Sequence, residues 1–295
     1  MIECVPNVSE GRDRRVIEQI AESIASTGCC VLDIHSDPDH HRSVFTMIGD
    51  EEKISDGAVA LVRSATALID LRTHQGVHPR IGAVDVIPFV PLKGSEMADC
   101  VSVAGYIGRT IAERWDLPVV LYGAAARSAE RSSLPWIRQG GLEVLSKKLA
   151  ENRSDFGPQQ PHPTAGVVAV GARPLLVAFN VVLDTAEVAI ARKIASVIRA
   201  ANDGLPGVKA LGLSLASRNL VQVSMNLTEV AATTIPMAFR AVSREAKRLG
   251  ARVLESEIVG LVPSIALGDA TAADLLMLDD PQERILETRI AERIP

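Results

Sequence analysis

An order of elements that occurs twice constrains this chain most. Apolar periodicity predicts a strand over Ile2–Asn7, an amphipathic helix over Arg14–Ser26, strands over Cys29–Ile34 and Val44–Ile48, a helix over Ile54–Leu71 and a strand over Val84–Val90. The same βαββαβ order returns as strand Leu175–Val182, helix Glu187–Ala201, strands Val208–Leu215 and Leu220–Leu227, helix Met237–Leu249 and strand Arg252–Val259. The order repeats while the residues do not. Hairpin-linked middle strands argue against a doubly wound parallel sheet. The expected fold class is α+β: two ferredoxin-like βαββαβ subdomains, 1–174 and 175–295, with mixed or antiparallel sheets covered by helices on one face. A chain of 295 residues is long enough for two separate cores. Asp184-Thr185 reads as a helix N-cap, and Gly204-Leu205-Pro206-Gly207 as the turn after that helix. Between the copies lie a helix over Met97–Trp115 and a short strand Val119–Tyr122. Helices near Ile265–Leu276 and Pro281–Ile290 follow the second copy.

Composition narrows the function classes. Hydrophobic residues make up 47% and charged residues 23%, and no apolar run reaches the ~18 to 20 residues of a membrane span. The start, Met1-Ile2-Glu3-Cys4-Val5-Pro6, has neither the basic nor the apolar region of a secretory signal. Four cysteines form neither a disulfide framework nor a zinc spacing, and Cys29-Cys30 reads as packing on a strand. The expected location is a reducing cytoplasm. A net charge of −5 and 3% aromatics argue against a nucleic-acid surface, and no membrane partner is expected.

Three polar segments carry chemistry. In His74-Gln75-Gly76-Val77-His78-Pro79-Arg80-Ile81-Gly82 a proton-active loop runs into the apolar strand that begins at Val84. Pro79 biases His78 toward extended backbone and Gly82 lets the chain turn, so an imidazole is held at a strand mouth. A histidine there can take and return a proton near neutral pH. Its alternative is a loop histidine that only bonds backbone. Arg80 pairs with a carboxylate of substrate or of protein, and His74 reads as structural support. The second segment, Asp33 to Thr46, is a turn between strands dense in acids and imidazoles, with Asp33, His35, Asp37, Asp39, His40 and His41. Such residues suit a divalent ion, but the spacing matches no defined site, and no metal is expected. The third, Gln159 to Arg173, is a polar loop entering a glycine-framed strand, or else a linker followed by an edge strand. Pro6-Asn7-Val8-Ser9-Glu10-Gly11 places amides and an acid beside an opening helix, where Ser9 is the expected cap. Ser224, Asn226 and Thr228 make one face of their strand polar, either exposed or lining a groove.

Glu3-Cys4-Val5-Pro6-Asn7-Val8-Ser9-Glu10-Gly11, His74 to Phe89 and Ala178-Phe179-Asn180 together resemble glutamate formiminotransferase, the folate enzyme of histidine breakdown, over nearly the whole chain. The resemblance implies that His78, in the His78-Pro79-Arg80 motif, is the catalytic base. It implies a folate wall formed by Gln159, Gln160, Pro161, His162, Pro163, Thr164, Ala165, Gly166, Val167 and Val168. Two departures bear on that: His35 stands where many members have aspartate, and Ala165 where some carry an aromatic. Asp33, Asp37 or Asp39 would then supply the charge, with Asp37 and Asp39 the expected catalytic acids. Asn7, Glu10, His35, Arg80 and Arg173 are the expected substrate contacts.

The implied reaction moves the formimino group of N-formimino-L-glutamate to N5 of tetrahydrofolate, a co-substrate, without a metal. Folate polyglutamate and a homodimer are the other implied partners, with a separate cyclodeaminase protein downstream. Rival readings are formyl transfer from N-formylglutamate or rearrangement of 5-formyltetrahydrofolate on the same fold, a metal-dependent amidine hydrolase, and a non-catalytic folate-binding module.

Overall fold

The computed structural model of the chain describes residues 1–152 and 154–293. The chain divides into two compact units, Met1–Pro174 and Leu175–Pro295, each with its own apolar core. The α+β class holds in both, with mixed and antiparallel sheets.

In the first unit β1 (Ile2–Cys4) and β2 (Asn7–Val8) run end to end between β4 (Arg42–Gly49) and β5 (Val84–Pro91). The sequence predicts one strand here, but Pro6 has no amide to donate and the ladder breaks around it, with Pro6 O accepting from Phe45 N at 3.0 Å. β3 (Cys30–Asp37) pairs with the outer side of β4 in register His35 to Val44 and Asp37 to Arg42. This hairpin is longer than its apolar residues alone suggest. Asp33, His35 and Asp37 therefore lie on a strand, and only Pro38 to His41 form the turn. His41 adopts the left-handed region there, with φ 50°.

Three helices cover one face of the sheet: α1 (Arg14–Ala25), α2 (Glu51–Leu68) and α3 (Met97–Trp115). α1 is capped by Asp13, not Ser9, and buries Ile17, Ile20 and Ile24 at helical spacing. Ser9 instead bonds Gly82 O at 2.7 Å. Asp50 caps α2, which begins at Glu51, three residues before its first buried apolar residue, Ile54. The sheet extends past β5 through β7 (Val168–Ala172) to β6 (Val119–Gly123), both parallel. The strand expected at an edge is thus interior. Val168, Val170 and Ala172 face α1 to α3, while Val167 and Ala169 pack with Ile137, Leu145 and Leu149 on the opposite side. Those last residues belong to α4 (Leu134–Arg138) and α5 (Gly141–Asn152), a segment to which the periodicity assigns no element. Helices on both faces and the parallel extension are the first unit's departures from the expected plan.

The second unit is β8 (Val177–Leu183), α6 (Val188–Ile198), β9 (Val208–Leu215), β10 (Leu220–Leu227), α7 (Ile235–Arg248) and β11 (Val253–Val259). Its sheet order is β11-β8-β10-β9, antiparallel throughout, as a split βαβ arrangement requires. α6 and α7 pack on one face over Phe179, Val181, Val221, Val223 and Met225. The N-cap of α6 is Glu187; Asp184 instead binds the Arg252 backbone at 2.7 Å and its Nε at 2.8 Å. The expected helix after β11 is two short ones, α8 (Ser264–Leu267) and α9 (Ala272–Leu275), interrupted at Gly268. α10 (Leu286–Arg293) follows.

Two glycines let the chain cross closely beside β5. Gly166 has φ 70°, and a Cβ on it would lie 2.3 Å from Ile81 O. A Cβ on Gly82 would lie 2.1 Å from Val167 O. Neither neighbour is a side chain that can yield, so Gly82→Ala is expected to lower unfolding free energy by more than about 1 kcal/mol in denaturant titration. An unchanged midpoint and slope would show that the crossing relaxes freely.

Candidate active site

The site grows from the β3–β4 turn lying on the loop before β5. Val77 N donates to Asp39 O at 3.1 Å, which docks one on the other. His74 and His41 stack with ring centroids 4.2 Å apart, and His40 tilts against His78 at 5.6 Å. His74 Nε2 lies 2.8 Å from His41 O, so that nitrogen carries the proton and Nδ1 is the bare one. Nδ1 is buried without a partner. Burial pulls the His74 pKa down to about 4. His41 Nδ1 accepts from Gly11 N at 3.1 Å, and burial lowers its pKa as well. Four of the six histidines converge here, three of them held toward the neutral form.

Behind His78 sits a carboxylate that no water reaches. Asp85 is fully buried, and its Oδ1 accepts from Ile81 N at 2.7 Å. Its Oδ2 takes both Arg42 and Arg138. Arg42 also lies against the His78 ring, with Nη1 2.9 Å from Nε2 and in contact with Nδ1. Arginine only donates, and His78 Nδ1 is 2.8 Å from Pro79 O, a pure acceptor. The Pro79 contact sets the tautomer: Nδ1 carries the proton toward that carbonyl and Nε2 is the bare nitrogen, while Arg42 Nη1 lies across both ring nitrogens. Burial, then Arg42, Arg138 and His40, hold the His78 pKa well below the ordinary histidine value. The ring is a neutral imidazole at pH 7. A cleft of about 260 Å³ opens beside it, lined by Leu71, Gly76 to Ile81, Gly141 and Leu142.

The other expected residues fall in different places. Arg80 lines the cleft, donates to His74 O at 2.7 Å and has a buried Nε without a partner. The Asp37 carboxylate accepts from His40 N at 2.7 Å, so it caps the turn. Asp39 meets the loop through its backbone carbonyl. The acid joined to His78 through Arg42 is Asp85, not Asp37 or Asp39. Glu10 accepts from the amides of Arg12 and Asp13, and its Oε1 lies 3.4 Å from His41 Nδ1. Asn7 donates to Val5 O, and His35 is half-buried on β3. Arg173 bonds Pro174 O and flanks buried Glu3 and Tyr122.

Gln159 and Gln160 are exposed, Pro161 to Thr164 are mostly half-buried, and Ala165 to Val168 are buried. His162 Nδ1 caps the Ala165 amide at 3.1 Å. Thr164 O, Ala165 O and Ile81 O exchange backbone bonds with Leu71, Ala83 and Val167, so this wall is laced to both ends of the His78 loop. In the second unit Asn180 and Gln222 donate to Glu257 Oε1 at 2.8 and 3.2 Å, and burial along that strand face declines from Gln222 through Ser224 to exposed Asn226. The polar face is therefore graded. Among the described residues no group of three or more His, Cys, Asp or Glu is arranged to hold a metal, and no helix is long and apolar enough to cross a membrane. Burial pushes the Cys29 thiol up to about 12, which fits packing.

Sequence reasoning missed Asp85 and Arg138. Asp85 had a signal: it is the one acid inside the apolar run Val84 to Pro91, and a buried acid must be paired. Arg138 had none, since its segment shows no usable periodicity.

Comparison with known proteins agrees over the whole length. A profile described as formiminotransferase domain, N-terminal subdomain, matches residues 1–173, and one described as formiminotransferase domain matches 178–290. A glutamate formimidoyltransferase of Streptococcus pyogenes serotype M1 is 41% identical, with 98% of each chain covered. One of Thermoplasma acidophilum is 43% identical, with 98% of this chain and 97% of the relative covered. The formimidoyltransferase-cyclodeaminase of Sus scrofa is 40% identical over all of this chain and 61% of its own length.

Buried groups of opposite sign set the acid response. Folded, His74, His41 and His78 bind fewer protons than the unfolded chain, whose histidines titrate near ~6.5. Their contribution is complete above that pH and is lost as pH falls toward the His74 value of about 4. Glu3 acts oppositely. Burial raises its pKa to about 7, so its contribution is present below ~4.5 and is lost as pH rises through 7. Glu3→Gln should therefore steepen the loss of stability between pH 6.5 and 4.5 and raise stability at pH 8; parallel pH curves for variant and wild type would contradict this. Asp85→Asn leaves two arginines without their buried counterion and should cost about 3–5 kcal/mol. A loss under about 1 kcal/mol in the same assay would mean that the pair is not dry.

Proposed function

The chain belongs to the formiminotransferase-domain family, and on that premise we propose that it moves the formimino group of N-formimino-L-glutamate to N5 of tetrahydrofolate, releasing L-glutamate and 5-formiminotetrahydrofolate. One observation of the geometry carries the chemistry: a neutral imidazole, His78, stands at a cleft with its Nε2 lone pair directed away from the backbone. The N5 lone pair attacks the amidinium carbon, and the N5 proton passes to His78 Nε2. The adduct then breaks its bond to the glutamate nitrogen as His78 returns that proton to it. One imidazole serves as base and then acid, a contribution of roughly 10²–10⁴ in rate.

Size supports a reading in which the two substrates occupy different places. Whole ligand pockets run to roughly 300–1,000 Å³. The cleft of about 260 Å³ falls below that range and takes the amino-acid donor alone. The pterin then lies along the exposed and half-buried part of the expected wall, Gln159 to Thr164, whose backbone is tied to the His78 loop at Leu71. On this reading the acid role expected of Asp37 and Asp39 passes to Asp85, which acts on His78 through Arg42. Arg173 stays the proposed contact for a folate tail carboxylate. Asn7, Glu10 and His35 shape the loops and do not reach the donor. The protein acts as a homodimer in the cytoplasm.

Formyl transfer from N-formylglutamate is a second reading with its own support. The groups around His78 are hydrogen-bond donors, which suit a neutral formyl oxygen, whereas a cationic amidine favours an acid.

The test is glutamate release and 5-formiminotetrahydrofolate formation from purified protein, formiminoglutamate and tetrahydrofolate. Folate-dependent turnover that falls at least ~10²-fold in His78→Ala is expected. Turnover with N-formylglutamate in place of the formimino donor would select the second reading, and glutamate release without folate would indicate a hydrolase.

A further inference from the structure

Three arginines share one aspartate beside His78. Arg42 and Arg138 are bound to Asp85, and Arg80 lies within its field and lines the cleft. Glu10 is engaged by the Arg12 and Asp13 amides, and the Asp37 carboxylate by the His40 amide. Asp85 is the carboxylate that both Arg42 and Arg138 contact, and one carboxylate does not balance two guanidinium groups on the same oxygen with a third alongside. Arg42 and Arg138 keep only 10% and 15% of their side-chain surface in water. Charge buried to that degree is stable only with a counter-ion.

A second observation points the same way. Arg80 Nε and Arg138 Nε are both buried donors with no hydrogen-bond partner. Satisfying a buried donor of a charged group is worth about 1–3 kcal/mol, so such orphans mark a missing acceptor. The recess of about 680 Å³ near α4 makes the contrast: there Arg127 and Arg131 both meet Asp155, with Glu130 alongside, and the charges balance. The His78 cleft differs: Arg80 lines it, Arg42 and Arg138 stand beside it on Asp85, and the Nε donors of Arg80 and Arg138 are unfilled.

We propose that Arg42, Arg80 and Arg138 form the seat for one carboxylate of the amino-acid donor, and that this carboxylate, by drawing Arg42 off the His78 ring, frees Nε2 to take the proton. The inference rests on the transferase reading and adds to it the residues that select a dicarboxylic donor and the event that arms the base. An empty seat leaves His78 Nε2 blocked by Arg42, so a water cannot readily be activated in place of folate. A filled seat adds a negative charge, which restores basicity to the imidazole. It also cancels the positive field that would repel the donor's amidinium.

The experiment compares donors and variants in the full-length protein. Formiminoglutamate is set against its two mono-amides, in which either carboxylate is replaced by a carboxamide. In wild type one mono-amide should show kcat/KM lowered at least ~10²-fold, and the other less than ~10-fold, since one carboxylate is seated. Arg138→Gln should raise KM for formiminoglutamate at least ~10-fold with kcat within ~3-fold, and should lose little further on the sensitive mono-amide, because carboxylate and arginine are one interaction. Arg138→Lys should recover part of the KM. Arg42→Lys should shift the acid limb of the kcat/KM pH profile, which a purely structural role would leave in place. Calorimetric binding of L-glutamate to His78→Ala separates this proposal from the reaction. Binding that survives His78→Ala and disappears in the His78→Ala, Arg138→Gln double variant supports the seat even if no formimino donor turns over. Wild-type turnover with an unchanged KM in folded Arg138→Gln, or additive losses on both mono-amides, would overturn it.

Discussion

The Asp85 carboxylate is the interaction on which the rest of the first unit depends. It is wholly buried on an apolar strand, and it is affordable there only because each oxygen is engaged: Oδ1 by the Ile81 amide, Oδ2 by Arg42 and Arg138. Those three partners come from the loop before β5, the start of β4 and the end of α4. One acid therefore ties together three segments far apart in sequence, and the carboxylate position fixes where His78 stands. Gly82 and Gly166 allow this by letting two backbones cross where side chains would not fit.

The chemistry follows from the same charge distribution. A histidine among arginines is kept neutral, and a neutral imidazole is the form that can accept a proton. On the proposed reading, the guanidinium groups around Asp85 define what enters beside it. The stacked His41 and His74 stiffen the turn that carries Arg42, and their own neutrality is a consequence of burial. The geometry of the candidate site and its acid sensitivity thus share one cause, the removal of water from a cluster of bases and cations.

Much of this was legible from sequence where periodicity and local rules coincide. β9, β10 and α3 fall at the expected residues, because alternation or helical spacing continues to their ends. His78 stood out as a titratable residue in a Pro- and Gly-framed loop ahead of an apolar strand, and the family resemblance singled it out. The turn from Asp33 to His41 misled, since polar residues there belong to a hairpin strand whose register is set by β4 and not by apolar alternation. The interior position of β7 could not be read, because an apolar strand buried on both faces carries no periodic mark of what covers it. Arg138 acquires its role only through the packing of α4 and α5 on that strand. Partners brought together by such long-range closure leave no local trace.

The most direct test of the account is the protonation state of His78 in the ligand-free protein, read from its imidazole ¹⁵N shifts between pH 8 and 5 and assigned with His78→Ala. The account predicts a neutral ring at pH 7, protonated at Nδ1 and bare at Nε2, with any titration displaced well below the ordinary histidine value. A His78 signal that titrates near ~6.5, as a solvent-exposed histidine does, would contradict it.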